Sequence, residues 1–323
     1  MEPPDARLTR VFADGYRNFA GTIDADLPGL TVVFGANNSG KTALTRLPLF
    51  VAASLCSDAL YCLTSNNVRF AGDFRTLTHV SRVHPSITYG AEWVQGETPC
   101  LARILLQLVS TGEGSEEVIP LRIETTSGVI YEARIDDELD IGALNHAYEL
   151  MVPTRDAMST ILLGALHVPS TRPQVKAVYE YQDRIDAPTP TVQDVPALLA
   201  HEPELRATVS SWFEEHLGHR SLAVDNAAFA FRLVSGSGTT GAINMSAAGR
   251  GSQAVLPVIA LLKAVELGII QPPLVIVEEP EAHLHPSAQA PLADLLLAVQ
   301  GAGSRVIVET HSEALTRIVQ EAA

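Results

Sequence analysis

Cysteine is scarce: the 323 residues hold three, Cys56, Cys62 and Cys100. Their spacing fits no metal site, and an odd number cannot all pair, so neither a cysteine metal centre nor a disulfide framework is expected. A reducing cytoplasm is the simplest compartment. Positive charge is also short. Lys and Arg total 22 against 37 for Asp and Glu, a net charge of −15. This excludes a broadly basic nucleic-acid-binding face, though not a local basic groove or one completed in a dimer. No run of 18 apolar residues exists. The richest stretch, Ala254 to Ile270, is interrupted by Pro257, Lys263 and Glu266, so no membrane span is expected. Met1-Glu2-Pro3-Pro4-Asp5 lacks the basic and apolar parts of a signal peptide. There is no internal repeat and no sustained heptad, which excludes a long coiled-coil arm.

What remains is globular. Hydrophobic residues make up 46% and charged residues 18%, enough to bury a large core. The most informative stretch is Gly35-Ala36-Asn37-Asn38-Ser39-Gly40-Lys41-Thr42. It follows the β-branched run Leu30-Thr31-Val32-Val33-Phe34 and precedes Ala43-Leu44-Thr45-Arg46-Leu47, a helix start. Strand, glycine loop and helix together are the context of a phosphate-binding P-loop. Gly35 and Gly40 permit backbone angles closed to other residues, so the N–H groups can turn inward around an anion. The helix adds its positive dipole end. Lys41 is expected at the β- and γ-phosphates of ATP, and the Thr42 hydroxyl on Mg²⁺.

A second motif lies far along the chain. Leu274-Val275-Ile276-Val277-Glu278-Glu279 is an apolar strand that ends in two carboxylates, the Walker B arrangement. Glu278 is expected on the metal side, through a water ligand, and Glu279 beside the attacking water as general base. Arg305-Val306-Ile307-Val308-Glu309 is another such strand, followed by Thr310-His311-Ser312. A histidine past a strand's carboxyl end sits where open α/β sheets bind ligands, within reach of a γ-phosphate or the water. Ahead of both lies Ala248-Gly249-Arg250-Gly251-Ser252-Gln253, a glycine-rich turn that opens a helix. If Lys41 already holds one phosphate tail, this second anion site serves another nucleotide, and a head-to-tail two-fold dimer is the economical arrangement.

Between the motifs, Leu8 to Ala13 reads as a strand, Asp24-Ala25-Asp26 as a polar turn, and Ala43 to Leu63 as a helix broken near Pro48. Ser86 to about Ile135 carries short β-prone runs separated by turns, an antiparallel sheet. Asp136 to Leu166 and Ala197 to Leu217 read as helical, and Phe229 to Val234 as a strand before the glycine-rich turn Ser235 to Gly241. Glu214, Glu215, His216 and His219 form either a solvated helix face or a metal cluster. Glu281, His283 and His285 pose a similar choice.

The set Gly35 to Thr42, Gly249 to Pro257, Val275 to Pro286 and Val308 to Glu313 resembles the SMC-like branch of ABC-type ATPases. It is most similar to stand-alone bacterial AAA/ABC ATPases related to RecF and to the ATPase half of OLD nucleases. Tyr16-Arg17-Asn18-Phe19 resembles the opening strand of that group, and Arg172 in the S-T-R-P turn matches a family arginine. The resemblance implies an α/β fold: an ABC-type P-loop ATPase head with a mixed sheet, an antiparallel β subdomain and an inserted α+β region. The expected parts are an N-terminal lobe over 1–85, the insertion over 86–224, and a C-terminal lobe over 225–323. It also implies that Gly251, Ser252 and Gln253 stand as the signature, acting on a partner's ATP. Glu281 to Pro286 then occupies the D-loop region, and His311 is the switch histidine. Glu278 replaces the usual aspartate, and no plain L-S-G-G-Q is present.

The implied activity is ATP hydrolysis by an ATP-induced homodimer, coupled to DNA repair, chromosome maintenance or antiphage defence. The alternative is an ATP-gated switch that holds a protein partner and hydrolyses little, which the net charge suits. A transporter nucleotide-binding subunit fits less well, because the stretch before Gly251 is long and β-rich. The chain ends at Ala323, soon after His311, so no nuclease domain is expected here. Relatives commonly continue, which suggests a trimmed chain. A nuclease or other effector would be a separate protein.

Overall fold

The structure is a computed structural model that describes residues 6–110, 115–135, 139–180, 189–218, 221–227, 230–235 and 243–322. The chain forms two compact units, one from residues 1–28 and 37–163 and the other from 29–36 and 164–323. Strand pairing accounts for this division, because residues 86–132 join the sheet begun at the N-terminus.

In the first unit, β1 (Ala6–Asp14) pairs with β2 (Thr22–Asp26). Asp24 and Asp26 therefore lie in a strand rather than a turn. Arg10, opposite Asp26 in the register, makes a bidentate bond to Asp24 at 2.6 Å. Tyr16 to Phe19 lie past the end of β1, and Tyr16 makes only an isolated bridge to Thr78. The next strand, β3 (Leu30–Phe34), belongs to the other unit.

The helical stretch after β3 is shorter than expected. It breaks at Arg46 into α1 (Lys41–Thr45) and α2 (Leu47–Cys56), with Pro48 in the first turn of α2, where its missing N–H costs nothing. A small hairpin, β4 (Thr64–Ser65) and β5 (Val68–Arg69), and a single capped turn, α3 (Phe74–Leu77), follow. Then come β6 (Ser86–Gln95), β7 (Thr98–Ser110), β8 (Glu116–Thr125) and β9 (Gly128–Glu132). The six-stranded antiparallel sheet runs β2-β1-β6-β7-β8-β9. Its core includes Phe50 of α2, stacked on Tyr16 at 5.1 Å and edge-on to Tyr89 and Phe70. Helices α4 (Ile141–Leu150) and α5 (Val152–Gly164) complete the unit.

After β3, the second unit continues with β10 (Leu166–Val168), whose first residue is the last of the stretch that the sequence suggests is helical. The short strand β11 (Tyr179–Glu180) follows. The expected helix over 197–217 is two, α6 (Val195–His201) and α7 (Pro203–Leu217), because Pro203 starts a new first turn. Trp212 and Phe213 are buried. Strands β12 (Leu222–Ala227), β13 (Ala230–Ser235) and β14 (Ile243–Asn244) build a small sheet with β11. His219 and most of the glycine-rich turn at 235–241 lie outside the described residues.

The remaining elements are α8 (Arg250–Glu266), β15 (Leu274–Glu278), α9 (Gln289–Gly301), β16 (Arg305–Thr310) and α10 (Glu313–Ala322). A four-stranded parallel sheet runs β10-β15-β16-β3. All five residues of β15 are buried, as its continuous apolar run requires of a parallel strand covered on both faces. Helices α8 and α9 bury their apolar residues in the same core, with Val255, Leu256, Ile259, Leu292 and Leu296 at most 1% exposed.

Candidate nucleotide site

The parallel sheet sets the geometry. Glu278 pairs in register with Glu309, and Thr310 with Phe34. The carboxyl ends of β15, β16 and β3 therefore lie side by side. Gly35 and Ala36 follow β3, Glu279 follows β15, and His311 follows β16. This edge is where open α/β sheets bind ligands.

The loop Gly35 to Thr42 leaves β3 and opens α1, as strand, loop and helix require. Asn38 has φ 60° and Gly40 φ 91°, left-handed angles of the kind that alternate with right-handed ones in anion-binding nests. A side chain at Gly40 would also meet the Phe19 ring at 2.9 Å. Asn37, Asn38, Ser39 and Thr42 are exposed, Gly35 and Gly40 half-buried, and Lys41 buried. Backbone N–H groups of a glycine loop, a lysine and a hydroxyl are the donor set for a triphosphate and its Mg²⁺, and the residues present fit that group.

At the end of β15, Glu278 is buried and braced by residues near β10. His167 Nε2 lies 2.9 Å from its Oε1, and the Ser170 N–H donates to Oε2 at 3.2 Å. Glu279 has φ 46°, a left-handed conformation that costs a non-glycine residue on the order of 1–2 kcal/mol. Its N–H donates to Glu309 O at 2.7 Å, and its carbonyl accepts from Arg172 Nη2 at 2.8 Å. His311 Nε2 lies 3.6 Å from Glu279 Oε1. The backbone of His311 is fixed by Glu281, whose Oε1 accepts from the His311 N–H at 2.8 Å and from the Thr310 hydroxyl at 2.6 Å.

Ligand atoms of Glu279, Glu309 and His311 all lie within 4.8 Å of one another. Neither the Glu281, His283, His285 set nor the Glu214, Glu215, His216 set gathers in this way among the described residues. His285 instead bonds the Ser287 hydroxyl at 2.8 Å, and Glu214 accepts from Ser210 at 2.8 Å.

Gly251, Ser252 and Gln253 occupy the first turn of α8, whose N-cap is Gly249. Ser252 is 8% exposed. The Gln253 side-chain N–H groups donate to Ser246 O at 3.0 Å and Ala248 O at 2.9 Å, which ties the preceding turn to the helix. Gly251 packs so closely that a Cβ would lie 3.0 Å from His283 O.

Sequence reasoning missed His167 and Glu309 and gave Arg172 no role. Burial pushes the Arg172 pKa down to about 10, partly offset by Glu279, Glu281 and Glu278. The guanidinium is still charged at neutral pH.

Solved structures match nearly the whole chain. The SMC head domain from Thermotoga maritima covers 98% of it and 92% of its own length, at TM-score 0.51 and 12% identity. An SMC head bound to the C-winged helix domain of ScpA matches at TM-score 0.55 and 13% identity, covering 97% of this chain and 91% of that one. The chain therefore has the mixed α/β fold of an SMC head domain, with its antiparallel and parallel sheets. An SMC head with an extended coiled coil, bound to the C-terminal domain of ScpA derived from Pyrococcus furiosus, matches at TM-score 0.50 and 11% identity, covering 97% and 92%. Residues 181–317 match the family model described as "AAA domain, putative AbiEii toxin, Type IV TA system". No curated protein matches the chain by sequence. The chain is thus similar in fold to SMC heads over nearly its whole length, and similar to the AAA-domain family model over residues 181–317. Among the described residues, no helix is long and apolar enough to cross a membrane.

Proposed function

We propose that the protein binds ATP with Mg²⁺, dimerises on it, and hydrolyses it to ADP and phosphate. The observation that carries this reading is the shared sheet edge, where β15 ends in Glu278 and Glu279 and β16 ends in Thr310 and His311 beside the strand that feeds Gly35 to Thr42. The loop N–H groups and Lys41 hold the phosphates. Thr42 and Glu278 hold the metal, which when bound neutralises phosphate charge and orients the β- and γ-phosphoryl oxygens. Glu279 accepts a proton from the attacking water. His311, 3.6 Å from Glu279, hydrogen-bonds the γ-phosphate or the same water. Gly251, Ser252 and Gln253 present the α8 N-terminus to the ATP of a second copy.

Turnover would serve DNA maintenance or antiphage defence, acting through a separately encoded protein effector in the cytoplasm. Two of the similar SMC heads are described in complex with ScpA, which supports a protein partner. The toxin–antitoxin wording of the matched family model supports a defence role. The net charge of −15 favours a second reading, a protein-binding switch gated by ATP with little hydrolysis.

Steady-state turnover of the full chain and of Glu279→Gln separates the two. Hydrolysis predicts that the variant binds ATP, accumulates as a dimer and turns over at least on the order of 100-fold more slowly. Equal rates would sink the proposed hydrolytic role of Glu279.

A further inference from the structure

Arg172 reaches three elements of its own unit. Its Nε donates to Pro169 O at 3.1 Å, which folds the side chain back over the turn after β10. Nη1 donates to Ala254 O in α8 at 3.3 Å. Nη2 donates to Glu278 O at 2.7 Å and Glu279 O at 2.8 Å. None of these bonds is to a carboxylate. The guanidinium therefore hydrogen-bonds the backbone that carries the acids, while their carboxylates act on it only as nearby charges.

That backbone is unusual. Glu279 has a left-handed φ of 46°, a conformation that persists only where the surroundings over-determine it. Its N–H is fixed by Glu309 O on one side, and Arg172 fixes its carbonyl on the other. Released from that hold, Glu279 would relax toward an ordinary φ, and its carboxylate would swing away from His311. The other end of the same guanidinium rests on α8 two residues beyond Ser252. A planar fork with five donors can span these carbonyls, but an ammonium cannot.

We propose that Arg172 is a positioning residue that clamps the Glu278–Glu279 peptide to the first turns of α8. Seating of the α8 N-terminus on a nucleotide is thereby transmitted to the aim of Glu279. The functional side of this rests on the proposed roles of Glu279 as the base and of α8 as the signature helix. The clamp itself is a statement about backbone coupling and can be measured without turnover.

The test uses the full chain, with Arg172→Lys, Arg172→Ala and Glu279→Gln, and two readouts. Amide hydrogen exchange should quicken in both variants of Arg172 over residues 279–284 and over the first turns of α8, with α9 unchanged. Turnover by Arg172→Lys should fall roughly 10- to 100-fold in kcat, with KM for ATP near the wild-type value. If Arg172→Ala fails to fold, Arg172→Lys carries both readouts. Unchanged exchange over 279–284 would overturn the clamp. So would unchanged kcat, or a loss confined to KM, in a protein whose Glu279→Gln form is inactive. If Glu279→Gln turns over like wild type, the proposed base has failed, and the exchange data alone decide the clamp.

Discussion

The imidazole of His167 and the carboxylate of Glu278 lie 2.9 Å apart, although 111 residues separate them in the chain. Glu278 is fully buried, and a buried carboxylate that loses a hydrogen-bond partner costs about 1–3 kcal/mol. His167→Ala should lower stability by about that amount, read as a shift in urea midpoint at constant m. His167→Gln, which keeps a donor, should recover part of the loss. Equal losses from both variants would show that ring packing, not the bond, matters there.

Tyr16 and Tyr89 are both buried against Phe50, but their hydroxyls differ. The Tyr89 hydroxyl donates to Leu60 O. The Tyr16 hydroxyl has no hydrogen-bond partner among the described residues. Removing a bonded hydroxyl strands its acceptor, whereas removing an unsatisfied one relieves a desolvation cost. Tyr89→Phe should destabilise by about 1 kcal/mol, and Tyr16→Phe should be neutral or stabilising by about the same amount. Chemical denaturation of the two variants gives the comparison.

The same tyrosines set an alkaline limit. Burial raises the phenol pKa of both above the ordinary value of 10.0. A folded-state pKa above the unfolded value means that the unfolded chain gives up its proton first. Their contribution is fully present below about pH 10 and is lost as pH rises toward the folded values, at up to about 1.4 kcal/mol per pH unit for each tyrosine. Urea midpoints measured from about pH 9 to 11 should fall in the wild type and fall less steeply in the double Tyr16→Phe, Tyr89→Phe variant.

Much of the site was legible because its strands are continuous apolar runs. Leu30 to Phe34, Leu274 to Glu278 and Arg305 to Glu309 announce themselves, and they pair side by side in the parallel sheet. What supports those residues was hidden for physical reasons. Strand β10 has three residues, too few to show a period, so His167 gave no sign of facing Glu278. The signal was Leu-His-Val just ahead of the turn that holds Arg172. Glu309 looked like any strand-end acid, and only the register with Glu278 makes it a neighbour of Glu279. Strand β2 was obscured by its two aspartates, which Arg10 stabilises from the paired strand. Pro48, which looked like a break in a helix, proved to be a first-turn residue of a new one, whereas Pro257 lies inside α8.

Gly251 separates two opposing effects of adding a methyl group. Alanine favours a helix over glycine by about 1 kcal/mol. At Gly251, however, a Cβ would lie 3.0 Å from the His283 carbonyl. That carbonyl cannot give way cheaply, because its turn is tied by Ala282 N to Glu279 O at 3.0 Å and Leu284 N to Glu281 O at 2.8 Å. Overpacking of this kind costs about 1–3 kcal/mol, so the clash should win and Gly251→Ala should destabilise by about 1 kcal/mol net. At Gly301, the last residue of α9, nothing lies within 4 Å of the added atom. Gly301→Ala should stabilise by about 0.4–1 kcal/mol. Opposite shifts in melting temperature are the expected result. Stabilisation by both substitutions would mean that the turn after Glu279 yields freely, which would also weaken the case that its backbone is firmly held.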